Sequence, residues 1–199
     1  SAPGVTFEIV TPFFSIPDPK TATPTELAFA SCPVVQASIT FKNDSEKPIR
    51  GIFALSIDHR WSSLGEQTNG VLIGASSRDQ IGFATQNEEA SCWMDFDPIS
   101  AMNRKHSTPE FLLGPTAGLE IFVEPGEEKT IEITLGFFKP GVATYNRAMS
   151  YYYTQHFTSL SQVLEYGAAC REEYLELAKE RDDELAAAKL NDEQKFLIA

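Results

Sequence analysis

Cysteine, histidine and basic residues are scarce in this 199-residue chain, and each scarcity excludes a class of function. Cys32, Cys92 and Cys170 stand far apart with no C-x-x-C pair, so neither a zinc knuckle nor a disulfide framework is encoded. They read as buried, reduced thiols. The three histidines, His59, His106 and His156, show no H-x-H or H-E-x-x-H spacing. No metal site is expected, and no cofactor. Sixteen Lys+Arg against 28 Asp+Glu give a net charge of −12 and a pI near 4.7. Such a surface repels phosphate, which argues against nucleic acid and against an anionic membrane face. No apolar run reaches the roughly 18 residues that span a bilayer. Ser1-Ala2-Pro3-Gly4 has no charged leader and no apolar stretch, so no signal peptide is visible and a cytoplasmic location is expected. A G-x-S-x-G elbow, a phosphate loop, internal repeats and low-complexity segments are missing too.

What the chain does have is apolar material for a core: 42% hydrophobic residues, among them 14 Phe, six Tyr and the pair Trp61 and Trp93. Its length suits one domain, or one domain with an appendage. Val5, Phe7 and Ile9 alternate with polar neighbours, the period of a half-buried strand. Val35, Ala37, Ile39 and Phe41 face one way, with Gln36, Ser38, Thr40 and Lys42 facing the other. Asn43-Asp44-Ser45-Glu46-Lys47-Pro48 makes a turn, and a strand resumes over 49–57. Further strands are predicted at 70–75, 80–85, 90–96, 118–124 and 128–138. Glu124-Pro125-Gly126-Glu127 joins the last two with the chemistry of a type II turn. Core positions are predicted at Phe7, Ile9, Val35, Ile39, Phe41, Ile121, Val123, Ile131 and Ile133. The proline-rich segment 11–33 reads as an extended loop, with one short helical turn at Thr23-Pro24-Thr25-Glu26, and 98–116 as a second excursion. Eight short strands with turn signals predict a mainly β chain, an antiparallel β-sandwich.

From Ser159 the period becomes helical. Ser159 with Gln162 fits a capping box. Leu160, Val163, Leu164, Gly167, Ala168, Tyr174, Leu175, Ala178 and Leu185 line one stripe of a helix over 160–189, opposite an acidic face. Asn191 with Gln194 repeats the cap signal ahead of Phe196-Leu197-Ile198.

Candidate sites are sparse. Hydrolysis of a glycoside needs two carboxyl groups in different protonation states. Asp95, Asp97 and Asp58 are the nearest candidates, but Asp97-Pro98 starts a turn and Asp95 reads as a solvated strand residue, so no catalytic residue is assigned. Asp58-His59-Arg60-Trp61 ends a strand with an aromatic beside polar groups, which suits a sugar face, and Trp93 is its candidate companion. His59, Arg60, Trp61 and Trp93 are therefore the carbohydrate-contact candidates; a core role for each Trp is the alternative. Asn43-Asp44-Ser45 matches a glycosylation sequon. The aromatic run 151–157 reads as a packed hinge between strands and helix.

Three blocks, TPFFSIPDPKTATPTELAFASCPVVQASITFKN (11–43), PGEEKTIEITLGFFKPGVATYNRAMSYYYTQHFTSLSQVLEYG (125–167) and LNDEQKFLIA (190–199), resemble glycoside hydrolase family 52, the retaining β-xylosidases. The middle, 58–117, matches poorly. The resemblance implies a β-sandwich joined by linker helices to an (α/α)6 barrel. It divides the chain into a sandwich domain over 1–157 that lacks its first strands, a linker helix over 158–190, and the start of a truncated barrel helix over 191–199. It also implies that the nucleophilic Glu and the acid/base Asp belong to the barrel, so no position here inherits either role. The function expected from it is a non-catalytic portion that braces the catalytic barrel and subunit assembly. The alternative is a stand-alone carbohydrate-binding or protein-interaction module. The partners expected are the barrel, xylo-oligosaccharide and a second copy in a homodimer.

Overall fold

The computed structural model describes residues 4–11, 15–64, 72–97, 113–143 and 148–198, with Ile99 and Asn103. Eight strands form in chain order: β1 (Gly4–Val10), β2 (Val34–Lys42), β3 (Ile49–Ser63), β4 (Ile73–Ser77), β5 (Ile81–Thr85), β6 (Ser91–Asp95), β7 (Leu113–Val123) and β8 (Glu128–Phe137). Their order in a single hydrogen-bonded sheet is β1-β2-β8-β5-β4-β3-β7-β6, antiparallel throughout. The fold is thus mainly β, as the alternation predicts. Strand β7 starts earlier than predicted and absorbs Thr116, while 98–112 lies outside the described residues apart from Ile99 and Asn103. Gly70 and Val71 of the predicted fourth strand also lie outside them.

The sheet doubles back on itself, and β3 is where it turns. Its register with β7 shifts between Ser56 and Trp61, after which Ser62 and Ser63 pair with β4. A bulge of this kind lets one strand serve two layers. As a result β3 lies across from β1, β2 and β5. The Phe7 and Phe53 rings stack with centroids 6.3 Å apart, and Phe53 meets Phe83 edge-on at 5.6 Å. Gly51 sits directly on Phe41, where an added Cβ would come within 2.5 Å of Cδ2. Between the layers lies one cluster that includes Ile39, Phe41, Phe53, Trp61, Phe83, Leu119, Ile121, Val123, Ile131 and Ile133.

Six of the nine predicted core positions are buried here. Val35 is only half-buried, and Phe7 and Ile9 are exposed. The reason is position: β1 stands at the end of the strand order, with a neighbouring strand on one side only among the described residues. Turn chemistry follows the sequence closely. Gly126 takes φ +79 and Glu127 N–H donates to the Glu124 carbonyl at 3.0 Å.

The helical turn predicted at Thr23 is helix α1 (Pro24–Ser31), closed by a full capping box. Glu26 N–H donates to Thr23 Oγ1 at 3.3 Å, and Thr23 N–H donates to the Glu26 carboxylate at 2.7 Å. That contact holds the Glu26 carboxyl below its usual range. Thr23→Ala should cost about 1 kcal/mol in a denaturation experiment, with Thr23→Ser restoring most of it.

The predicted helix over 160–189 is two helices, α2 (Leu160–Ala169) and α3 (Arg171–Ala187), hinged at Cys170 with φ −94 and ψ 11. Ser159 caps α2 by accepting from Gln162 N–H at 3.2 Å. The Gln162 side chain returns to Thr158 N–H rather than to Ser159. A last helix, α4 (Asp192–Ile198), is capped by Asn191, which accepts from Gln194 N–H at 2.8 Å. Leu160, Val163, Leu164 and Tyr174 bury a second cluster with Val34, Ala84, Phe138 and Phe157 on the outer face of β2, β8 and β5. That part of the sheet is therefore covered on both sides.

Candidate binding surfaces

Trp61 and Trp93, candidates for either a sugar face or the core, are both buried. Trp61 is fully buried with its ring centroid 5.3 Å from Phe83, and Trp93 is buried against Gly118. The bulge in β3 turns Trp61 inward, while His59 and Arg60 beside it remain exposed. Neither indole Nε1 has a hydrogen-bond partner among the described residues. The aromatic that Arg60 meets at the surface is instead Phe96, whose ring centroid lies 6.0 Å from the guanidinium carbon. Sequence reasoning missed Phe96, which it took in as the last residue of a strand over 90–96, whereas the strand ends at Asp95.

The carboxylates and the sequon are committed to local structure. Asp95 is buried, and its Oδ1 accepts from Asp97 N–H at 2.9 Å. Asp97 Oδ1 in turn accepts from Ile99 N–H at 3.0 Å. These are successive turn bonds, in which each carboxylate satisfies a backbone donor two residues on. Asn43 is fully buried, with Nδ2 donating to the carbonyls of Lys47 and Val123 at 2.9 Å each. Its Oδ1 accepts from Ser45 N–H at 3.0 Å, so the amide of the sequon has no free edge for a glycan.

Burial pushes the Cys32 and Cys92 thiols up to about 12, and it raises Cys170 as well. Uncharged at neutral pH, they are poor nucleophiles and poor metal ligands. Among the described residues no group of three His, Cys, Asp or Glu could hold a metal ion. No described helix is long and apolar enough to cross a membrane.

Where the helices meet the sheet, a buried polar knot replaces the solvent-facing Gln36 that alternation predicts. Gln36 Nε2 donates to the Gly167 carbonyl of α2 at 2.9 Å. Its Oε1 accepts from Thr134 Oγ1 of β8 and from Arg171 Nη1 of α3, each at 2.9 Å. Arg171 also donates to the Ile133 carbonyl at 3.4 Å, and its Nε lies 3.7 Å from the Glu132 carboxylate. Gly167 permits the approach, since a Cβ there would fall 2.6 Å from Val34 Cγ1. Tyr174 completes the seam by stacking on Phe29 at 4.4 Å and donating to its carbonyl at 3.0 Å. One glutamine thus ties two strands to two helices.

An open groove of about 460 Å3 runs beside this seam, lined by Gln86, His156, Phe157, Gln162, Glu165 and Tyr166 among others. His156 packs edge-on against Tyr152 at 5.3 Å, and its buried Nε2 has no hydrogen-bond partner among the described residues. Phe157 meets Tyr166 at 5.3 Å, and burial holds the Tyr166 hydroxyl protonated well above its ordinary range. Glu165 is the groove's sole carboxylate among the described lining residues. The paired carboxyl groups of glycoside hydrolysis, roughly 5 Å apart in retaining enzymes, are not assembled there. Aromatic edges with amide and carboxylate groups suit contact with a polyol.

The profile of Glycosyl hydrolase family 52 matches residues 1–199. A beta-xylosidase of Geobacillus stearothermophilus is 30% identical over 201 residues, which cover 98% of this chain and 32% of that protein. A second beta-xylosidase of the same organism is 26% identical over 201 residues, covering 98% of this chain and 28% of that protein. The chain spans about a third of the length of these relatives. It belongs to glycosyl hydrolase family 52.

Proposed function

We propose that this member of family 52 is the non-catalytic sandwich portion of a β-xylosidase-like glycoside hydrolase, bracing a catalytic barrel carried elsewhere in the same protein. The observation that carries the reading is the knot at Gln36, which fixes α2 and α3 to the sandwich and so gives the following segment a firm mount. That segment, α4, presents Phe196 and Leu197 at 83% and 82% exposure. Two adjacent apolar side chains this exposed at a capped helix suit burial against further helices. Division into a sandwich over 1–157, a linker over 158–190 and a first barrel helix from 191 agrees with this role.

Aryl β-xyloside hydrolysis tests the proposal. This chain alone should show no turnover even at high concentration, because the nearest carboxylates, Asp95 and Asp97, hold turn amides. Turnover that disappears in Asp95→Asn or Asp97→Asn would overturn it.

The groove favours a second reading, a module that contacts xylo-oligosaccharide without cleaving it. Tyr166 would supply the aromatic edge, with Gln86 and Glu165 as hydrogen-bond partners. Calorimetric titration with a xylo-oligosaccharide decides it: saturable binding lost in Tyr166→Ala supports the reading, and no heat rejects it.

A further inference from the structure

The groove beside the seam sets a hydrogen-bond donor next to an acceptor. Gln162 and Glu165 both line it, three positions apart on α2, the spacing that puts two side chains side by side on one helix face. Gln162 is already oriented by the turn that starts the helix. Its Oε1 accepts from Thr158 N–H at 2.8 Å and from Thr158 Oγ1 at 3.0 Å, so the group it can still offer a ligand is the Nε2 donor. Glu165 makes no hydrogen bond among the described residues and offers acceptors. Phe157 and Tyr166, edge to face at 5.3 Å, and Leu72 give the same groove an apolar wall. No lysine or arginine stands among the described lining residues, so nothing there would balance an anionic ligand.

We propose that Gln162 and Glu165 form a clamp for two adjacent hydroxyls of a neutral sugar ring. Gln162 Nε2 donates to one oxygen, and the Glu165 carboxylate accepts from the neighbouring hydroxyl. This rests on the second reading above, in which the groove contacts xylo-oligosaccharide, and it names the part of the sugar that is read. A donor beside an acceptor matches a vicinal diol, because each hydroxyl can both donate and accept. In a β-1,4-linked xylose chain the hydroxyls on C2 and C3 are that pair, and the ring's C–H groups pack on the aromatic wall. The bond to Glu165 is charge-assisted and is the stronger of the two. A substituent on either oxygen removes the proton that Glu165 accepts or crowds the amide. The groove is therefore selective for undecorated stretches of the chain.

Calorimetric titration with xylotriose, and with xylotriose O-methylated at every hydroxyl, tests the clamp. Xylotriose should bind and the methylated sugar should not. Gln162→Glu keeps an oxygen for Thr158, and with it the start of α2, but exchanges the donor for a second carboxylate. It should weaken xylotriose binding about tenfold. Glu165→Leu should cost about as much or more, and Glu165→Gln, which keeps an acceptor, should cost less. Thermal melts matching the parent chain show that each variant is folded. No heat with xylotriose would reject the second reading, and the clamp with it. Binding lost in Tyr166→Ala but unchanged in Gln162→Glu and Glu165→Leu would keep that reading and overturn the clamp alone, as would equal binding of the methylated sugar.

Discussion

Trp61→Ala is expected to lower the stability of the folded chain by about 3–5 kcal/mol, the range for removing a large aromatic from a packed core. Trp61 is the largest fully buried side chain among the described residues, held at the corner where β3 passes from one layer to the other. Its loss leaves a void bordered by Phe83, whose ring it tilts against at 5.3 Å. Trp61→Phe should cost far less, about 1 kcal/mol. Phenylalanine fills most of the space and removes a buried N–H that has no partner among the described residues. Urea denaturation of the two variants separates a core tryptophan from a sugar platform. A platform residue would tolerate alanine within about 0.5 kcal/mol and lose only saccharide affinity.

Gln36→Leu has the second largest expected effect, a loss of about 3 kcal/mol. Leucine preserves volume but strands three partners at once: the Arg171 guanidinium, the Thr134 hydroxyl and the Gly167 carbonyl. Arg171 keeps the bond to the Ile133 carbonyl and its approach to Glu132, which is itself largely exposed. The cost is therefore mainly that of a buried cation left short of acceptors. Adding Arg171→Met to Gln36→Leu should recover part of the loss, since it removes the stranded charge. Additive losses in chemical denaturation would show that Gln36 and Arg171 are not coupled.

Local chemistry accounts for what the sequence made legible. Period-two alternation placed Ile39, Phe41, Ile121, Val123, Ile131 and Ile133 in the core, and Pro125-Gly126 announced its turn. Thr23, Ser159 and Asn191 marked helix starts because a cap needs only residues within one turn of itself. Long-range facts stayed hidden. Nothing near Phe7 or Ile9 says that β1 stands at the end of the strand order, so the same alternation that buries Ile39 leaves them exposed. Gln36 read as a solvent-facing residue because its partner Arg171 lies 135 positions further along. Trp61 beside Asp58, His59 and Arg60 fitted a surface plate or a core residue equally, and the bulge in β3 is what sends it inward. The functional reading divides the same way. No catalytic pair could be assigned from spacing, and the groove at His156 and Tyr166 is lined by residues from well-separated parts of the chain.

The central claim is that α2 and the first turn of α3 are part of the sandwich's cooperative unit, a mount and not a tether. Native-state amide hydrogen exchange tests this most directly. The account predicts that the slowest amides of Val163, Leu164, Gly167 and Tyr174 open with the same free energy as those of β2 and β8, and that Gln36→Leu lowers the helical set first. Exchange of 160–174 through local opening, while β2 and β8 keep full protection, would contradict it.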